Sequence, residues 1–299
     1  MKVLRYIILL FIISIWSAGC KNKKEPAKER ILTIITEINK SDKTSQVINI
    51  NLDTGDTTGL SIDNYFLSSA VYSEYYKALG YCDDNNVYHF VKNNGEEIFE
   101  LHLPWPLVMV AIDDNNHWLM GMALEDVIKF TVIDLDKQSV ILQRALSTSY
   151  MFPVCSYTYN PDDTVYYTFA QTSDGNEFIL SIKANDGQII NRATPQLDLK
   201  ETIYNKSNKT IIGLYTTPDR TFDIVCMNPV DGQTVSQAHT SLKAVMACIV
   251  GFDYTNNYYI TLNSTDEGNI IVFIDPATGT ISRSINVSQR LLQIIYHEN

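Results

Sequence analysis

The sequence predicts an all-β chain: a six-bladed β-propeller of four-stranded antiparallel blades, its ring closed by the C-terminal strand joining the N-terminal blade. Three observations predict it. A turn phrase recurs, as in Ile274-Asp275-Pro276-Ala277-Thr278-Gly279. Close relatives end at Gly55 and Gly232, looser ones at Gly95 and Gly187, and a sixth, at Gln138, has lost its glycine. Successive copies stand 40 to 49 residues apart, the length of one four-stranded blade. A second set of polar turns, at 113–116, 160–163, 205–208 and 254–257, keeps step with the first. Finally, residues 31–62 hold only three β-rich runs, and one apolar run, 291–297, is left over at the other end.

The chain opens with "MKVLRYIILLFIISIWSAGC". Lys2 and Arg5 precede the apolar run 6–16, and Ser17-Ala18-Gly19-Cys20 follow it. The run fits a secretory leader and is short for the roughly 30 Å of hydrocarbon in a bilayer. Its last four residues resemble the lipobox of bacterial lipoproteins, with Ser17 where that family usually has leucine. The resemblance implies cleavage after Gly19, acylation of Cys20 and a membrane-anchored protein of the bacterial cell envelope. Lys21 after the cysteine, in place of aspartate, implies the outer membrane. Residues 1–19 are then a signal peptide and 20–30 a lipidated cysteine with its tether. "KNKKEPAKER" has no large apolar residue to bury, and ten extended residues reach roughly 33 Å.

The propeller takes up residues 31–299. Asn or Asp followed by Gly between β-rich runs is a hairpin signal, because glycine accepts positive φ without steric cost. The repeated phrase is therefore the turn between the two outer strands of a blade, and the second set of polar clusters the turn between the two inner ones. Blade 1 receives "ILTIITEI", "QVINI" and "DTTGLSI". Blade 2 covers about 66–103, blade 3 107–146, blade 4 152–194, blade 5 199–240 and blade 6 245–287. "LLQIIYH" at 291–297 supplies the missing inner strand of blade 1. Closure of this kind leaves no inner strand unpaired.

At the level of single repeats, residues 31–297 resemble the YVTN and quinoprotein-like propellers, whose outer hairpin reads roughly D-x-x-T-G. Asp275 to Gly279 and the stretch ending at Gly55 match best. Quinoprotein repeats carry a tryptophan after that turn. Here the tryptophans are Trp16, Trp105 and Trp118, none at that position, so no quinone or other cofactor is expected.

A net charge of −11 argues against nucleic acid, whose binding needs clustered Lys and Arg. The five histidines have no zinc-motif spacing and no CxxC occurs, so no metal is expected. Cys82, Cys155, Cys226 and Cys248 fall on different blades and are expected as buried free thiols. "STDEGNII" (264–271) resembles the Asp box of sialidase propellers in Ser264, Asp266 and Gly268 but is expected as a polar hairpin turn. The 18 tyrosines suit the gaps between blades, where a ring fills space and its hydroxyl finds a partner. A stacking surface for sugars or peptides is the alternative.

Propellers bind at the face where loops from the outermost strand to the next innermost one gather. Candidate ligand-binding residues there are Tyr65, Trp105, Tyr150, Lys243 and Arg290. Trp105 stands between two prolines, which hold its loop extended; the competing expectation is a plug in the seam between blades 2 and 3. No catalytic residue is singled out. The expected function is that of a monomeric binding module for a protein or glycan partner. One alternative is an exported glycan hydrolase or lyase, which as a glycosidase needs two carboxyl groups about 5–10 Å apart in the channel; another is a structural component of an envelope complex.

Overall fold

Twenty-five strands form six sheets, and among the described residues there is no helix. The computed structural model describes residues 28–36, 44–63, 69–153, 156–243, 245–265, 268–287 and 291–298; Cys20, Tyr65, Cys155 and Arg290 lie outside them. Blade 1 begins with β1 (Arg30–Thr36), β2 (Thr44–Asn51) and β3 (Thr57–Asp63). Blade 2 is β4 (Val71–Ser73), β5 (Ala78–Cys82), β6 (Val87–Lys92) and β7 (Glu97–His102). Blade 3 is β8 (Leu107–Asp113), β9 (Trp118–Ala123), β10 (Lys129–Asp134) and β11 (Ser139–Ala145). Blade 4 is β12 (Tyr150–Met151), β13 (Tyr157–Asn160), β14 (Val165–Thr172), β15 (Glu177–Lys183) and β16 (Ile189–Ala193). Blade 5 is β17 (Lys200–Asn205), β18 (Thr210–Thr216), β19 (Phe222–Met227) and β20 (Thr234–His239). Blade 6 is β21 (Val245–Asp253), β22 (Tyr258–Thr265), β23 (Gly268–Ile274) and β24 (Ile281–Val287). The last strand, β25 (Leu291–Glu298), returns to blade 1, whose order is β25-β1-β2-β3.

This is a six-bladed β-propeller with the expected blade boundaries and closure. β25 runs antiparallel to β1 from Arg30↔Glu298 to Thr36↔Leu291. Leu291 and Ile294 are buried against blade 6, while Leu292 and Ile295 are half-buried against blade 2. The inner strands β25, β4, β8, β13, β17 and β21 contact one another in a closed circle. Blade 4 differs from expectation. Its inner strand comes in two pieces, β12 and β13, both paired to β14. Pro153 lies between them, and proline donates no ladder hydrogen bond.

The middle strands are apolar on both faces, as in the uninterrupted burial of Val165 to Ala170. Each face must therefore meet another blade. The buried apolar residues fall into six clusters, one per seam between neighbouring blades. Two seams share a device. Met109 and Glu201 sit on inner strands at positive φ (54° and 55°), where the ladder register shifts. Such bulges turn a carbonyl out of the ladder. A fully buried tyrosine of the next blade donates to it: Tyr166 Oη to Met109 O at 2.5 Å and Tyr259 Oη to Glu201 O at 2.6 Å. Cys82 and Cys226 are buried free thiols; burial pushes the Cys82 thiol up to about 11.

The repeated phrase forms a wider turn than a two-residue hairpin. In four copies the glycine N–H donates back four residues, as from Gly279 to Asp275 O at 2.8 Å. The opening Asx caps the turn, as Asp275 Oδ1 does for Ala277 N. A register shift then follows in the ladder of every blade from 2 to 6. Gln138 keeps the positive φ (50°) of the glycine it replaces. The glycine is needed most at Gly279. A Cβ there would meet the carbonyl oxygen of His239 at 2.0 Å, whereas one at Gly55 would meet nothing within 4 Å. The inner turns carry positive φ without glycine, at Lys77, His117, Thr164, Lys209 and Asn257.

Two stability measurements check this account. Tyr259→Phe leaves the Glu201 carbonyl buried without its donor and should cost about 1–3 kcal/mol in urea unfolding. Gly55→Ala should cost about 1–2 kcal/mol through φ alone, and Gly279→Ala clearly more. Equal costs for the two alanine variants would mean that the contact with blade 5 does not matter.

Candidate functional site

Each inner strand ends in a short polar residue that caps the turn below it. These are Ser73, Asp113, Asn160, Asn205 and Asp253, all buried. Asp113 Oδ1 accepts from the N–H groups of Asn115 and Asn116 at 3.0 and 3.1 Å. Asn160, Asn205 and Asp253 accept from Asp162, Ser207 and Asn256 in the same way. The residue before the cap is Tyr72, Ile112, Tyr159 or Tyr204 in blades 2 to 5. Tyr254 follows the cap in blade 6, and Tyr296 stands near the end of β25. The closed ring brings these residues together around one mouth of the channel. They line a cavity of about 450 Å³ with Lys28, Glu74, Asp114, Lys206 and Glu298. One level deeper lies a second cavity of about 200 Å³. It shares Tyr159 and Tyr254 with the mouth and is walled by Val110, Tyr157, Thr158, Thr202, Val250 and Gln293.

Carboxylates hold the tyrosine hydroxyls at the rim. Tyr159 Oη donates to Asp113 Oδ2 at 2.5 Å, and Tyr296 Oη reaches Asp253 and Glu298 at 3.0 and 2.9 Å. Burial first, then those negative neighbours, pushes both hydroxyls well above the ordinary phenol value. Burial, with the Glu201 charge nearby, does the same to Tyr157 deeper in the channel. The ring of Tyr72 stacks on His297 at 3.4 Å, and Lys206 Nζ lies 5.0 Å from the centre of the Tyr254 ring. Arg30, where the chain enters the propeller, binds Asp53 in its own blade and reaches Asp253 of blade 6 at 3.4 Å.

The expected ligand-binding residues do not gather at this mouth. Tyr65 and Arg290 lie outside the described residues. Trp105 is buried among Phe90, Leu101, Leu107 and Leu119 in the seam between blades 2 and 3. Tyr150 is buried in the next seam, with Arg192 over its ring at 5.4 Å. Lys243 is exposed on the opposite loop face. The mouth tyrosines were missed because they are scattered in sequence; their signal is their place next to the turn cap. Tyrosine serves both expected purposes here, since Tyr88, Tyr166 and Tyr259 are fully buried packing.

Two further groupings bear on chemistry. On the outer strands of blade 2, ligand atoms of His89, Glu97 and Glu100 lie within 4.8 Å of one another. His89 Nδ1 is already 2.6 Å from Glu97, and both glutamates are exposed. Glu177 is the carboxyl held above its usual range, by partial burial and then by Asp198. It lies at the start of β15, on the loop face.

No protein-family model matches the sequence, and no curated protein matches it either. Solved structures match in fold. TolB from Acinetobacter baumannii superposes with a TM-score of 0.69 at 10% identity, over 90% of this chain and 66% of that one. The β-propeller domain of Cps50 (Swd1) from Myceliophteria thermophila gives 0.57 at 12% identity, over 90% and 89%. Kuenenia stuttgartiensis hydrazine synthase gives 0.55 at 14% identity, over 86% and 80%. At these identities the likeness is one of architecture.

The Arg30 hydrogen bonds hold the Asp53 carboxyl below its usual range. A depressed carboxyl stabilises the fold above its unfolded pKa, about 3.9, and loses that contribution as pH falls through the folded value. Arg30→Gln should therefore melt slightly below the parent at pH 7, and the gap should close as pH drops below about 4. Asp53 is 41% exposed, so the gap should also shrink in high salt.

Proposed function

We propose that this chain is an exported lipoprotein of the bacterial cell envelope, anchored through Cys20, whose propeller is a binding module for a protein partner. The observation that carries the reading is the open, tyrosine-lined mouth of the channel. Aromatic walls with a few placed polar groups are the usual make-up of a recognition site, and about 450 Å³ is room for several residues of a partner. The leader, the Ser-Ala-Gly-Cys sequence and the TolB-like fold support an envelope location. The chain enters the propeller at this same mouth, where Lys28 lines the cavity. Residues 21–28 reach roughly 26 Å when extended, so an anchor at Cys20 keeps the mouth close to the membrane surface. A glycan is the alternative occupant.

Affinity capture from the native membrane tests the reading. Cys20→Ser should release the protein from the membrane fraction. Tyr254→Ala should lose the captured partner at least tenfold without a matching fall in melting temperature. Lys243→Glu, on the opposite face, should retain it. The reverse pattern would move recognition to the loop face.

A further inference from the structure

Gln293 lies on the inner strand that closes the ring and is 7% exposed. Its Nε2 donates to Ala70 O at 2.8 Å, while its Oε1, buried on the wall of the inner cavity, receives no donor from the described protein. A buried acceptor left bare costs about 1–3 kcal/mol, so an occupant that brings an N–H is favoured. No cationic side chain lines the inner cavity, and the buried Glu201 carboxyl adds negative potential beside Tyr157. At the mouth, Glu74, Asp114 and Glu298 face only Lys28 and Lys206. Behind them Asp113 and Asp253 are buried, with Arg30 reaching only the second. Tyrosine faces attract cations, and Lys206 over Tyr254 is a resident example on the same wall.

We infer that the channel takes a protonated amine or guanidinium carried on a basic segment of a partner protein, which enters through the mouth and donates to Gln293 Oε1. The inference rests on the mouth being the recognition surface and adds the chemistry recognised there. The inner cavity, about 200 Å³, has room for one long side chain and not for a folded element. The larger mouth holds its flanking residues.

Titration calorimetry on the purified full chain tests this with acetyl-Gly-Lys-Arg-Gly-amide. The controls are the same peptide with acetyl-lysine and citrulline, and spermidine. The charged peptide should bind at least tenfold more tightly than its neutral counterpart and weaken with salt. Gln293→Met should reduce that affinity about tenfold. Glu298→Gln, which keeps an acceptor for Tyr296 and Thr255, should reduce it several-fold, with the fold of both variants checked by melting. Equal binding of the neutral peptide, no binding of the charged one, or indifference to both variants overturns the inference. Spermidine binding as tightly as the peptide would assign the site to a free polyamine and overturn the protein source. If Tyr254→Ala still abolishes partner capture while the basic peptide fails, the mouth remains the recognition surface and only its cation preference falls.

Discussion

A four-stranded sheet that is apolar on both faces cannot stand with one face in water. Every blade here therefore needs two neighbours, and a row of such blades is stable only when its ends meet. The antiparallel ladder between β25 and β1 is where they meet. It completes blade 1, gives blade 6 its second partner and makes the sixth seam equivalent to the other five. Arg30 reinforces the joint by tying Asp53 of blade 1 to Asp253 of blade 6. Closure protects only the inner strands. The six outer strands remain edges, and they are kept polar or interrupted by bulges, as in β24, where Arg283 and Ser284 are exposed. Polar side chains and bulges on an edge discourage pairing with another chain.

The architecture was legible because turns are written in residues that few other places need. The Asx that caps and the glycine that turns recur at blade length, and the copy at Gln138 was recognisable from its surroundings even without glycine. The inner turns were legible from their polar clusters, although their positive φ falls on lysine, histidine and threonine, which give no such warning. The bulges at Met109 and Glu201 left no trace at all. Their carbonyls are satisfied from another blade some 57 residues on, so the signal is a partner distant in sequence. The split of the blade 4 inner strand hangs on Pro153, which reads equally well as an ordinary loop proline.

The site was less legible than the fold. Trp105 and Tyr150 looked like recognition residues because aromatic side chains beside prolines and serines suggest a surface loop. The loops instead fold inward and use the rings to fill seams. The mouth is built from Tyr72, Tyr159, Tyr204, Tyr254 and Tyr296, each of which looks like one more β-strand tyrosine. What distinguishes them is position within the repeat, visible once blades are set against one another by their capping residues. Gln293 carries no local signal, since its importance lies in an oxygen that the surrounding strands leave without a donor.

The placement of β1 has a mechanical consequence. The chain enters the propeller at Arg30, yet the strand it enters is not an edge: β1 is paired to β25 on one side and β2 on the other. A pull on the chain ahead of Arg30 acts along β1, so the hydrogen bonds of both ladders share the load in shear. Had the first strand been an outer one, the same force would have peeled its bonds one at a time. A propeller hung by its N-terminus in this way resists extraction at the strand that also closes its ring.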